Sequence, residues 1–456
     1  MLPVRVGYRL DGLPHWFAGL LIAFCLAPEA GAAAPLPGTP FASADTTLLA
    51  ALHAAVLRSN PELVARRALV ATARAKTAAA GFGPAVAAAA EVEEVPNGIN
   101  AVRAGSIRLT LEKTFLGARL VADRAVAATE VDAALAALDA SVWRVLALAD
   151  RAATRIILWS TIADRLAAED SLLTSAEVSL RARFAVAEAR YADVLRLRAE
   201  RLRVQSEQTV ARTEALVASR ALDALWTPTD SLAAAARAAV ASAAARGAVP
   251  ALAGAPPPDI DSLLVLSSVA RRSEAALARA RAMRALVLAR QRPLVTAFAG
   301  AQRFLGEAGR FAVGGVAGAS VSLPFTARKA SARAASAADS EIVATAAFRD
   351  AALAGLRGEL LAIRDRYEAA RARLAIFEVT LLRGAREERE SALASYRAGG
   401  LSLIELLDFE RALSRAETDR LRAEIDAADA FAALITGTFG GPLEPPALST
   451  PTGGDR

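Results

Sequence analysis

His15, His53 and Cys25 are the only imidazole and thiol groups in 456 residues, so chemistry built on them is narrowly bounded. A zinc or copper site needs three or four convergent donors, and two histidines with one cysteine fall short of an ordinary set. Dyads and triads built on histidine fail for the same reason, and a lone cysteine has no intramolecular disulfide partner. His53 lies in the apolar run Leu48 to Leu57 and reads as a packing or helix-face residue. Paired acids at Glu93-Glu94 and Glu387-Glu388 suggest general acid/base work. Adjacent residues do not face one another on a helix or strand, however, and these read as solvated charges. Gly314-Gly315-Val316-Ala317-Gly318 resembles a phosphate-cradling loop, but no Gly-Lys-Ser/Thr follows and the segment alternates like a strand. Asp193 and Glu405 admit two readings: charges that constrict or dock one end of the molecule, or acids favoured by a helix N-terminal dipole. The expectation is a protein without catalytic residues, cofactor or metal site.

Lys76, Lys113 and Lys329 are the only lysines among 54 basic residues, set against 48 acidic ones. The basic side is therefore arginine scattered between Asp and Glu, a solvated-face pattern and not a nucleic-acid stripe. Mean hydropathy is +0.32 with 5% aromatics, so the apolar share is mostly alanine and favours close helix packing over a thick core. At the start, Arg5 and Arg9 precede an apolar stretch from Trp16 to Ala27, followed by small-x-small sites at Ala30-Gly31-Ala32 and Ala32-Ala33-Ala34. Residues 1–34 thus read as a secretory signal, leaving a mature chain that begins at Ala33 or Pro35. Phe24 occupies the place before Cys25 where a lipoprotein signal needs a small residue, so no lipid anchor is expected.

An offset of 212 residues aligns Asn60-Pro61-Glu62 with Arg272-Ser273-Glu274, Leu109-Thr110-Leu111 with Val321-Ser322-Leu323, and Asp193-Val194-Leu195 with Glu405-Leu406-Leu407. One offset serving three features in order implies two related halves, 46–226 and 262–441. Between them, 227–261 holds an alanine-rich helix from Asp230 to Gly247 and a Pro/Gly linker at Val249–Pro258; 442–456 has the composition of a disordered tail. No proline occurs between Pro96 and Pro228, or between Pro324 and Pro442, which leaves room for very long helices. Val131, Leu135, Leu138, Val142, Val145, Ala149, Ala152, Ile156 and Trp159 step by four and three. So do Leu353, Leu356, Leu360, Ile363, Tyr367, Ala370, Leu374, Phe377 and Leu381. These are coiled-coil seams. The spacing predicts long helices at Gly117–Ala182 and Ala327–Tyr396, each flanked by two shorter ones: Pro61–Phe82 with Glu188–Trp226, and Val269–Arg292 with Leu401–Thr438. The first long helix would extend about 99 Å at the usual rise.

Each half also carries a strand pattern. Ile107, Leu109 and Leu111 alternate with Ser106, Arg108, Thr110 and Glu112, and Phe311, Val313, Ala317, Ala319, Val321 and Leu323 form an apolar face in the second half. Partner strands are expected at Ala85–Val95 and Leu294–Phe304, with turns at Pro96-Asn97-Gly98 and Gly306–Gly309. Strands of this length cross a bilayer when tilted, but four cannot close a barrel, so lipid exposure would require oligomerisation. The fold class expected is mainly α with β-hairpins: a long antiparallel coiled-coil bundle plus four strands per protomer. The lipid-facing candidates are Ile107, Leu109, Leu111, Phe311, Val313, Val321 and Leu323.

The order of signal, helix with Leu48-Leu49 through Ser59-Asn60-Pro61-Glu62-Leu63, hairpin, very long helix, tip and return helix resembles the TolC family of outer-membrane efflux channels over roughly Thr46 to Gly441. Ser395-Tyr396-Arg397-Ala398-Gly399-Gly400-Leu401-Ser402-Leu403-Ile404-Glu405 through Asp408 is similar to the family's second tip; Arg183-Phe184-Ala185-Val186-Ala187-Glu188 through Asp193-Val194-Leu195 is similar to the first, with Ala187 where the family usually has glycine. Ser322-Leu323-Pro324-Phe325 looks like the branch exemplified by CzcC, whose members work with pumps for divalent metal cations. The resemblance implies a homotrimer with a twelve-strand barrel in outer-membrane lipid and a periplasmic helical tunnel. It also implies tips that meet a periplasmic adaptor and, through it, an inner-membrane pump. The tip residues so implied are Phe184, Ala187, Asp193, Tyr396, Gly399, Gly400, Leu401, Ser402 and Glu405. Export of metal cations, export of organic compounds and type I secretion remain open within that class, and a soluble periplasmic coiled-coil scaffold stands outside it.

Overall fold

A computed structural model describes residues 44–93, 106–227, 231–247, 259–305, 311–322 and 328–440. The expected signal, both hairpin turns, the Val249–Pro258 linker, Leu323-Pro324-Phe325 and the tail lie outside these. The elements in chain order are α1 (Ala44–Ser59), α2 (Pro61–Ala79), β1 (Ala87–Glu93), β2 (Ser106–Phe115), α3 (Ala118–Ala185), α4 (Tyr191–Asp223) and α5 (Ser231–Arg246). They continue with α6 (Ile260–Leu266), α7 (Ser268–Arg290), β3 (Leu294–Leu305), β4 (Phe311–Ser322), α8 (Arg328–Ile376), a π-helical turn (Phe377–Leu381), α9 (Leu382–Arg397) and α10 (Leu403–Gly440). Helix, hairpin, long helix, turn and return helix thus occur twice, with α3 running 68 residues. The short helix α6, capped by Asp259 through its bond from the Ser262 N–H, lies just past the expected Val249–Pro258 linker and before the helix expected at Val269–Arg292, where the sequence pattern offered no element.

The chain divides into two units. One comprises 65–139 and 268–354 and holds all four strands. Here the strands form an antiparallel meander in the order β1-β2-β3-β4. Register joins Leu111 to both Ala88 and Ala299, and Ala299 to Ala317, so every second residue across the four strands shares one face. Beside the sheet, Ala122 of α3 packs with Leu286 and Ala289 of α7. The Arg119 guanidinium caps the carbonyl of Arg290 at the end of α7. Small residues at this contact let helix backbones approach closely, as the alanine-rich composition requires.

The other unit comprises residues up to 64, 140–267 and 355 onward, and is helical. Its core joins Leu158, Ile162, Leu166 and Leu173 of α3 to Val194, Leu197 and Val204 of α4 and to Leu407, Leu421 and Ile425 of α10. Asn60 knits the start of α2 to the end of α4: its side chain accepts from the Leu63 N–H at 3.0 Å and donates to the Leu225 carbonyl at 2.7 Å. On the first seam, Val142, Val145, Ala149 and Ala152 are buried, but burial then passes to Ile157 and Leu158 ahead of Ile156 and Trp159. An undistorted helix drifts relative to a 3.5-residue repeat, and the stripe moves with it.

The second seam needs a larger correction. Leu356, Leu360, Tyr367 and Leu374 are buried as the spacing predicts, yet Leu381 is 46% exposed and Leu382 is 5% exposed. The π-turn inserts one residue and hands the seam to Leu382. Beyond that point the stripe runs Leu382, Ala385, Arg389, Ala392 and Tyr396, whereas an uninterrupted α-helix would carry Leu381, Glu388, Ser391 and Ser395 inward. The long helix expected at Ala327–Tyr396 is therefore two α-helices joined by a π-turn, because the sequence changes phase there.

Candidate functional site: the four-stranded sheet and the helical tips

The sheet face bearing Leu109, Leu111, Val313 and Val321 is exposed, and register puts Ile107 in the same rows. Phe311 pairs with Leu305 at the far end of β3–β4, and Leu323 lies outside the described residues. The alternation of the sequence did not reveal that Ala297, Ala299 and Ala301 of β3 complete the rows, since alanine carries little contrast in an alanine-rich chain. Phe115, Val295 and Val321 share one row near the helices, while Lys113, one row further on, anchors its ammonium on the Pro84 carbonyl at 2.7 Å. The opposite face gathers most of the polar side chains of the sheet, with Leu294, Phe298 and Val316 interspersed. Arg108 pairs with Glu91 at 2.9 Å and reaches Gln302, and the hydroxyls of Thr114 and Thr296 meet at 3.0 Å. Gly300 permits the close approach of β2, since a Cβ there would stand 1.9 Å from the Leu109 carbonyl oxygen. One exposed face that is apolar apart from Lys113 and Arg303, an opposite face that holds most of the polar side chains, and β1 and β4 each paired on one side only suit a sheet between lipid and water whose edges are closed by further strands.

In the helical unit, both tips adopt the same backbone motif. At the first, the Glu188 N–H donates to the Arg183 carbonyl at 2.8 Å and the Ala187 N–H to Phe184 at 3.0 Å; at the second, Gly400 donates to Ser395 at 2.9 Å and Gly399 to Tyr396 at 3.0 Å. This is the paired bonding of a Schellman cap, which demands a left-handed residue just past the helix. Ala187 supplies it with φ 61° and Gly399 with φ 80°. The 212-residue offset thus holds atom for atom at the tips, and Ala187 adopts the glycine conformation without being glycine. It continues to the return helices, which begin at Tyr191 and Leu403.

The caps that follow differ. Ser402 and Glu405 form a capping box, the Ser402 N–H donating to the Glu405 carboxylate at 2.7 Å and the Glu405 N–H to the Ser402 hydroxyl at 3.3 Å. Hydrogen bonding to the carboxylate, from the Ser402 N–H first and its side chain second, holds the Glu405 carboxyl below its ordinary pKa. Of the two sequence readings of Glu405, the helix-start acid is what the geometry supports. Asp193 occupies the same third position of α4, but Arg190 at the cap makes no side-chain bond to that helix. There the rings of Phe184 and Tyr191 meet instead, 5.5 Å apart. Tyr396 is half-buried and Leu401 lies in the turn before the box.

Behind the tips lies a charge network that sequence spacing did not reveal, since its members come from different helices. Arg165 of α3 pairs with Glu417 of α10, Arg389 of α9 with Glu410 of α10 at 2.7 Å, and Arg415 of α10 with Glu200 of α4 at 3.2 Å. Hydrogen bonding from Arg203 draws the Glu200 pKa down. Glu169 differs: burial pushes its pKa up against the opposing bond from the Ser414 hydroxyl. His53 is paired as well, its Nε2 standing 2.6 Å from Asp150. Among the described residues no group of three or more potential ligands gathers to hold a metal, and no helix is long and apolar enough to cross a membrane.

At the level of sequence, no family model matches the chain, and no curated protein matches it either. Its fold does match solved structures. The outer-membrane channel OprN superposes with TM-score 0.64 at 18% identity, over 88% of this chain and 91% of that one. CusC, described for its transmembrane channel formation, gives 0.64 at 14% identity, over 91% and 99%. The outer-membrane protein VceC of Vibrio cholerae gives 0.62 at 19% identity, over 87% and 97%. The chain has the fold of outer-membrane channel proteins. Within that class its architecture, a helical bundle with four strands per chain, is TolC-like.

Proposed function

We propose that this protein is the outer-membrane channel of a tripartite efflux system, a passive conduit and not an enzyme. It is exported by its signal segment, begins at Ala33 or Pro35, and works as a homotrimer. The observation that carries the reading is the four-stranded sheet, mainly apolar on one exposed face, with most of its polar side chains on the other, and with β1 and β4 each paired on one side only. A bilayer tolerates no free strand edges, and three copies bring twelve strands to close one barrel. The tips at Ala187 and Gly399 are the surfaces offered to a periplasmic adaptor, which links them to an inner-membrane pump. Divalent metal cations are the cargo favoured by the Ser322-Leu323-Pro324-Phe325 junction; choice of cargo belongs to the pump, because a wide conduit discriminates little. Deleting the gene tests this. The expected result is loss of resistance to a divalent cation, restored by the full chain in the outer-membrane fraction. Unchanged resistance to cations with lost resistance to organic compounds would overturn the cargo, and a soluble protein that restores nothing would overturn the channel.

A further inference from the structure

Four helix ends meet one end of the sheet, all within the unit that holds the strands. There α2 leads into β1 and α7 into β3, while β2 leads into α3 and β4 into α8, and register sets Val295 beside both Phe115 and Val321. The last seven residues of α2 and α7 and the first seven of α3 and α8 hold nine basic residues and one acid, Asp123, in a chain whose totals are 54 and 48. All three lysines fall in the same zone: Lys76 in the last turn of α2, Lys113 near the end of β2 and Lys329 at the start of α8.

Helix stability accounts for only part of this. Cations favour helix C-termini, which suits Lys76 and Arg290, and the Arg124 guanidinium donates to the Gly81 carbonyl at 2.6 Å just past α2. The same dipole asks for acids where α3 and α8 begin, yet neither has one in its first turn, and Arg119 and Lys329 stand there instead. Arg292, Lys329 and Arg333 are exposed and bridge no acid among the described residues. Apolar groups share the zone: Phe82 is 82% and Val121 68% exposed, next to the exposed row of Phe115, Val295 and Val321. Lys113 marks the boundary, since from a row inside that of Phe115 its side chain reaches back to the Pro84 carbonyl.

We propose that this basic collar binds the phosphate groups of anionic glycerophospholipids in the leaflet beside the helices. Exposed apolar side chains seated at the acyl boundary, with arginine and lysine at headgroup level, are the pattern of an interfacial anchor. A zwitterionic headgroup offsets its own phosphate with an ammonium, so it gains less from such an excess of cations. Holding the phosphates also fixes how deep the sheet sits, because sinking it further would carry the cations into hydrocarbon. This inference rests on the channel reading and adds to it the class of lipid.

Arg292→Gln, Lys329→Gln and Arg333→Gln together remove three exposed charges from the collar, and Arg198→Gln, Arg212→Gln and Arg220→Gln remove three exposed charges from α4, leaving the same net charge. Native mass spectrometry of the detergent-extracted full chain, in micelles doped with phosphatidylglycerol or phosphatidylcholine, counts the lipid retained. The unaltered protein should prefer phosphatidylglycerol. The collar variant should lose at least about tenfold of that preference, given about fivefold per basic residue near an anionic surface, and the α4 variant should keep it. Equal loss from both variants would reduce the effect to net charge, and equal retention of the two lipids would remove the headgroup selectivity. Displacement of phosphatidylglycerol by millimolar inorganic phosphate would make the collar a free-anion site. Each of these results overturns the lipid site and leaves the channel reading intact; a chain recovered only from the soluble fraction overturns both.

Discussion

Gly399 and Gly400 are adjacent, but only one of them depends on being glycine. Gly399 holds φ 80° and no heavy atom lies within 4 Å of where a Cβ would stand, so a side chain there meets open space and costs only backbone strain. Gly400 shows no left-handed φ, and a Cβ on it would meet the Ser395 Oγ at 3.0 Å, a hydroxyl free to rotate away. Left-handed backbone costs an L-residue about 1–2 kcal/mol, with a β-branched side chain at the upper end. Gly399→Val should therefore shift the turn's local equilibrium by up to about thirtyfold, at about 1.4 kcal/mol per factor of ten. Gly400→Val should shift it far less. The assay combines efflux-dependent resistance and cross-linking to the adaptor with a check of outer-membrane insertion and trimer content. Gly399→Val is expected to lose resistance and adaptor cross-linking while inserting as a trimer; Gly400→Val is expected to retain most of both. Equal loss from the two variants would mean that the side-chain surface matters and not the turn's handedness, and failure of Gly399→Val to insert would remove the tip from the docking role.

Other perturbations follow from the same geometry. Leu109→Arg puts a charge on the exposed apolar face and, if that face meets lipid near the bilayer midplane as proposed, should cost about 2–4 kcal/mol, read as reduced barrel insertion; Thr110→Ser, on the opposite face, should insert normally. Burial opposes protonation of His53, but its hydrogen bond and charge contact with Asp150 prevail and raise the pKa above 6.5. That pair's contribution is full below the unfolded value and is lost as pH rises through the raised folded value, so Asp150→Asn should lower the thermal midpoint at about pH 6 more than at about pH 8.5. An equal loss at both would contradict the assignment. Glu169 also has a raised folded pKa, which makes its contribution favourable in acid and unfavourable once it ionises. Glu169→Gln keeps an acceptor for the Ser414 hydroxyl and should raise the thermal midpoint at about pH 8 while changing little at about pH 4; destabilisation at the higher pH would show that the carboxylate is needed in its charged form.

Much of the architecture is legible in the sequence because the signals are periodic. Proline-free windows bracket α3 and α8–α9, and the 212-residue offset found at Asp193 and Glu405 extends to the turn residues Ala187 and Gly399. The strand face emerges from Leu109, Leu111, Val313 and Val321, whereas its alanine rows are hidden by composition. The π-turn is masked because Leu381 happens to continue the four-three stepping. Only the apolar or small residues at Leu382, Ala385 and Ala392 reveal the phase shift that the backbone must absorb. The tip network is illegible for a different reason: arginine and glutamate occur throughout, and pairs such as Arg165–Glu417 and Arg415–Glu200 exist only once separate helices are packed.

The most direct test of the central claim is the native mass of the full chain extracted by detergent from outer-membrane fractions. Three copies, resisting dissociation until heated, is the result expected of a chain that supplies four strands of a closed barrel. A single copy recovered from the soluble periplasm would contradict it.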